Sequence, residues 1–185
     1  MPARWAWIGT ALAAWLMGAS IGHPQAKSAR PVDSSGPPPS PPAPVSQTPT
    51  ITCRLELPES VRLGAPVPLT LQLHNAKRRP LRVLTWGTPF EGGWWQPFVR
   101  VTRGEVPIPY TGAMVKRGTP EPAEYLPLPA GATRRATLDL RDAFDLTVPG
   151  SYVVSSAIIL HDVLIGGAHH RVEPRCATVR VTIHR

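Results

Sequence analysis

Motifs of catalysis are largely missing from this chain. Its 185 residues contain no His-Glu-x-x-His pair, no phosphate-binding glycine loop and no Cys-x-x-Cys, which removes the shortest sequence routes to a zinc peptidase, a nucleotide-binding enzyme or a thiol oxidoreductase. No motif calls for a cofactor. Acidic residues are scarce: 12 Asp and Glu stand against 20 Lys and Arg, for a formal net charge of +8. The basic residues are dispersed, with short runs at Lys77–Arg79, Lys116–Arg117 and Arg134–Arg135, and no aromatic residues interleave with them. That pattern argues against nucleic acid as a partner and for a solvated basic surface suited to an acidic partner or an anionic envelope. Cysteine is nearly absent too. Cys53 and Cys176 are the two, and in an oxidising compartment they are expected to pair. Cys53 shares the phase of Leu55 and Leu57, whereas Cys176 is out of phase with Ala177, Val179 and Val181, so pairing requires an irregular stretch just after Pro174.

What is present begins with an uncharged apolar run, Trp5–Ile21, behind the single positive charge of Met1–Arg4. This is the pattern of a secretory signal peptide, with small residues offering cleavage after Ser20, Gly22 or Ala26, and residues 1–26 are assigned to it. An uncleaved membrane anchor is the alternative, since about 17 apolar residues is the lower limit for spanning a bilayer. Residues 27–50 carry Pro31, Pro37, Pro38, Pro39, Pro41, Pro42, Pro44 and Pro49 among Ser, Ala and Gln. Proline fixes φ and lacks a donor, so this stretch reads as an extended spacer and not as part of a core. The expected location is secreted or periplasmic, with membrane contact only if the leader stays attached.

Beyond residue 50 no helical period of useful length appears, and the hydrophobic period is two. Val67, Leu69, Leu71 and Leu73 alternate with Pro68, Thr70, Gln72 and His74; Ala177, Val179, Val181 and Ile183 alternate with Thr178, Arg180, Thr182 and His184. Shorter versions are Leu55 with Leu57, Val99 with Val101, and Ala136 with Leu138 and Leu140. Tyr152–Leu160 is almost continuously apolar and reads as one central strand covered on both sides. With turn residues between the runs, residues 51–185 are expected to form an all-β, immunoglobulin-like antiparallel sandwich of about seven or eight strands. Within it, Pro149-Gly150 before Tyr152 resembles a tyrosine corner.

Two residue groups invite a binding role. His161, Asp162, His169 and His170 surround a loop with Gly166 and Gly167, and imidazole with carboxylate is a metal-ligating chemistry, although the spacing fits no named site and exposed histidines at a hairpin are the plainer reading. The segment Trp86–Trp95 gathers aromatics among glycines; Trp86 follows strand residues and is expected to be buried, while Trp94 and Trp95 are candidates for a partner surface.

The runs Pro80–Gly92 (with Trp86-Gly87-Thr88-Pro89), Phe98–Arg103 and Gly112–Pro120 (with Val115-Lys116-Arg117-Gly118), continued by Tyr125, Asp139-Leu140, Asp145–Tyr152 and Leu160–Val163, resemble the N-terminal region of bacterial deuterolysin-type metalloendopeptidases. The likeness covers nearly all of the expected domain. In that family the region precedes the zinc catalytic domain, which implies a β-sandwich propeptide with an inhibitory or folding role. The family's zinc-binding helix has no counterpart before Arg185, so no catalytic residue carries over and a non-enzymatic binding module is expected, with a metallopeptidase catalytic domain as its partner. Some members prefer lysine at the cleavage site, which implies a substrate-mimicking role for Lys116, with Arg117 and Met114 beside it, although a solvated hairpin tip is the plainer reading of charged residues at a turn. An envelope-tethered structural or adhesion module, and a metal-binding accessory protein using His161, His169 and His170, are the alternatives.

Overall fold

The computed structural model describes residues 50–185; the expected signal peptide and nearly all of the proline-rich spacer lie outside them. The described region is an all-β sandwich. Its first sheet has the order β1-β3-β8, from β1 (Ile51–Glu56), β3 (Pro68–Asn75) and β8 (Thr133–Asp139). The second runs β2-β12-β9-β5-β6, from β2 (Ser60–Arg62), β12 (Val179–His184), β9 (Gly150–Ser156), β5 (Val99–Arg103) and β6 (Val106–Ile108). Pairing in both is antiparallel except β2 with β12, which is parallel. Strand neighbours thus follow the immunoglobulin order, β1, β3 and β8 standing for A, B and E and β5, β9 and β12 for C, F and G.

Alternation explains which faces meet. Leu69, Leu71 and Leu73 from β3 are fully buried and join Val99, Val101, Tyr152, Val154, Val181 and Ile183 of the opposite sheet in one core cluster. Each such side chain is worth roughly 1.5–3 kcal/mol when taken out of water. The tyrosine corner is present: Tyr152 is buried, and its hydroxyl donates to the Val148 carbonyl at 2.6 Å. Cys53 and Cys176 form a disulfide. The irregular stretch this requires is also there, because Glu173–Thr178 lies outside any strand and β12 starts only at Val179. Ala177, expected to point inward, is exposed for the same reason.

A third sheet, order β11-β10-β4-β7, departs from the sequence expectation. It is built from β4 (Leu81–Leu84), β7 (Tyr125–Leu128), β10 (Leu160–Ile165) and β11 (Ala168–Val172). These segments belong to the connections between β3 and β5, β6 and β8, and β9 and β12, so the long loops of the sandwich are knitted together. Together with the short β2 and β6 they raise the strand number to twelve. The run Tyr152–Leu160 is not one strand: the chain leaves β9 at Ser156 and enters β10 at Leu160, and the run stays apolar because Ile158 and Leu160 are buried at the crossing. The β10–β11 turn uses Gly166 and Gly167 at φ 60 and 86, the left-handed pair a two-residue hairpin turn requires.

Candidate functional site

The chain between β4 and β5 folds around a short 3-10 turn, Pro89–Glu91. Thr88 caps it, its hydroxyl donating to Thr85 O at 2.6 Å and accepting from Phe90 N at 3.3 Å. The turn brings the Glu91 carboxylate back to accept from Gly87 N at 3.0 Å. Trp94 follows and enters the core. It is 6% exposed, stacks on Phe98 at 4.5 Å, meets the ring of Phe144 edge-on at 5.7 Å, and donates its indole N–H to Asp139 O at 2.8 Å. A side chain so placed is unavailable to a partner, and the surface expected from the tryptophan pair narrows to Trp95, which is 40% exposed.

Alongside runs the segment from Thr111 to Thr119, which belongs to no strand. It begins on Tyr110, wedged near Trp94 and Phe144 with its hydroxyl 3.1 Å from Trp94 O and 2.8 Å from Ala113 O. The absence of a side chain at Gly112 permits this, since a Cβ there would lie 2.5 Å from the tyrosine oxygen. Farther along, Val115 N donates to Trp95 O at 3.2 Å. Met114, Val115 and Trp95 are all exposed, Met114 to 73%. The structure therefore brings Trp95, Met114, Lys116 and Arg117 to one pair of neighbouring loops. Lys116 is exposed and makes no ion pair among the described residues.

Arg117 has a different setting. It forms an ion pair with Glu91, and its guanidinium sits over the Trp86 ring at 5.5 Å. Trp86, expected in the core, is half-buried under this arginine and donates its indole N–H to Glu124 Oε1 at 2.8 Å. Glu124 also closes a capping box, accepting from Glu121 N at 2.7 Å, and that bond, ahead of the one from Trp86, holds its carboxyl below the ordinary value. Beneath the loop a cleft of about 400 Å³ is lined by Leu84, Trp86, Gln96, Arg117, His161 and Asp162 among others.

The histidine group does not assemble. His169 Nδ1 lies 2.7 Å from Asp162 Oδ2, and the Tyr125 hydroxyl donates to the same oxygen at 2.6 Å. His161 faces Gln96 instead, at 3.4 Å. Among the described residues no group of three or more His, Cys, Asp and Glu is placed to hold a metal ion. Glu91, Glu124 and Tyr110 are the residues of this region that sequence reasoning missed, and Trp86 was read as core and not as part of this arrangement. Their only advance signal was position, Glu91 lying four residues past a glycine in a turn-rich run.

The chain is similar to an extracellular protease of Aeromonas hydrophila. Identity is 31% over 88 residues, which is 48% of this chain and 25% of the relative, so the chain spans about a quarter of the length of the curated relative it matches. No family model matches. Among solved structures, an alkylpurine DNA glycosylase from Pseudomonas fluorescens aligns over 75% of this chain and 32% of its own at 17% identity and TM-score 0.35. A β-glucosidase from Listeria innocua aligns over 69% and 16% at 12% identity and TM-score 0.29. Alignments this loose bear on neither mechanism nor ligand. The protease similarity marks a protease-related region, and the disulfide suits an oxidising compartment. Among the described residues no helix is long and apolar enough to cross a membrane.

Proposed function

We propose that this sandwich is an exported, non-catalytic module that binds an extracellular metallopeptidase of the deuterolysin type, as a propeptide does, and that the Thr111–Thr119 loop is its contact. The observation that carries this reading is the free, exposed Lys116 on a segment outside every strand, flanked by the apolar surface of Met114, Val115 and Trp95. An apolar ledge beside one unpaired cation suits a cleft whose specificity pocket is acidic, and hot spots of this kind concentrate binding energy in a few residues. The similarity to an extracellular protease supports the choice of partner.

The test is to mix the folded protein with a deuterolysin-type catalytic domain and measure the dissociation and inhibition constants. A complex is expected at micromolar concentration or below. Lys116→Ala is expected to weaken it by about 1–3 kcal/mol, or roughly 5- to 150-fold, through loss of a charged anchor from a partly desolvated pocket. Equal constants for wild type and Lys116→Ala at one ionic strength, with both proteins folded, would overturn the role of Lys116. No complex at micromolar concentration would overturn the partner.

A further inference from the structure

The Lys116 loop poses a chemical problem of its own. An exposed lysine on an irregular segment is what a lysine-directed peptidase hydrolyses, water adding hydroxyl to the Lys116 carbonyl carbon and a proton to the Arg117 nitrogen as the amide breaks. A binder must avoid that fate. Resting on the reading of this loop as a peptidase contact, we propose that the Glu91–Arg117 ion pair, seated on Trp86, is a clamp that keeps the loop a ligand and prevents its becoming a substrate.

Fastenings fall on both sides of Lys116. Upstream, Val115 N is bonded to Trp95 O and Ala113 O accepts from the Tyr110 hydroxyl. Downstream, the very next residue carries the guanidinium that meets Glu91 and covers Trp86. Neither acceptor is loose. Glu91 is only 13% exposed at its side chain and holds Gly87 N, and Trp86 is tied to Glu124. A partly desolvated pair on an aromatic face is stronger than an ordinary surface pair, and arginine suits it because its planar group can pair and stack at once. Native-state cleavage tracks the population of the opened segment. The clamp lowers that population, and after a cut it would hold the new ends together.

The sequence provides an internal control. Lys77 and Lys116 are the two lysines of the described region, the chain's third being Lys27, so within that region a peptidase that cuts after lysine reports on two places at once, and it needs no natural partner. Wild type, Glu91→Gln and Arg117→Ala are incubated under native conditions with such an enzyme, and the cuts are located by mass spectrometry. Glutamine at 91 keeps an acceptor for Gly87 N but loses the charge. Both variants are expected to be cut after Lys116 about tenfold faster than wild type, with cutting after Lys77 unchanged. Unchanged rates at Lys116 would overturn the clamp, as would a parallel rise at Lys77, which would mean general loosening. Wild type cut at Lys116 as fast as an unstructured lysine peptide would overturn it as well. Because this assay contains no metallopeptidase, a failed complex there with a faster cut here would sink the partner and leave the clamp standing, and the reverse pair of results would do the opposite.

Discussion

Asn75 is a polar side chain with no exposure at the end of β3. Its amide nitrogen lies within hydrogen-bonding distance of Arg79 O, Leu128 O and Pro129 O, and its oxygen accepts from Lys77 N. One residue thus ties the turn after β3 to the end of β7. Asn75→Ala should cost about 2–3 kcal/mol, because it leaves buried carbonyls without donors, and a thermal or urea melt measures it. A loss below half a kcal/mol would mean that water replaces the amide. In the sequence Asn75 reads as the opening of the turn that runs to Pro80, and nothing there marks its side chain as buried, since its partners lie in that turn and more than fifty residues away. The tryptophan pair was opaque for a related reason: in an irregular loop two adjacent residues carry no phase, and only the ring stack on Phe98 decides that Trp94 is inside and Trp95 outside.

Strands β3 and β12 were legible, because they alternate over enough positions to fix a face. The third sheet was not. Strands β4 and β7 have four residues each, and β7 contains Pro127, so neither period nor propensity distinguishes them from loop. Their pairing is fixed by partners distant in sequence and by side-chain ties such as Tyr125 to Asp162, which joins β7 to β10. That tie has a pH signature. Burial raises the Asp162 carboxyl, but the hydrogen bonds from Tyr125 and His169 outweigh it and hold it below the ordinary value; the same bond pushes Tyr125 up to about 12. The carboxylate's contribution to stability is therefore complete above the unfolded value of about 3.9 and is lost as pH falls through the folded one. The phenol's contribution is complete below about 10 and is lost as pH rises through about 12. Asp162→Ala should lower Tm most near neutral pH, with the difference from wild type shrinking as pH falls below about 3.9 and as it rises above about 10. A difference constant across that range would rule out the bond as its source.

At the scale of the molecule the disulfide joins β1 to the approach of β12 across a separation of 123 residues. Chain-entropy reasoning gives a closure of this length about 5 kcal/mol at most. Replacing both cysteines by serine should cost about 2–5 kcal/mol, measured as a fall in the denaturation midpoint of the double variant. Its presence was readable from two cysteines in a chain expected to be exported, and the phase mismatch at Cys176 even located the irregular stretch before β12. The same bond, with β2 lying parallel to β12 and Thr182 N donating to Glu59 O, has a mechanical meaning. A pull applied between Thr50 and Arg185 travels through the sulfur bridge, so the covalent path bypasses Arg54 to Arg175 while the bridge is intact. Under an optical trap the oxidised domain should lengthen only by its short flanks. Reduction should then release a further contour of about 400 Å, the reach of 123 residues of extended chain.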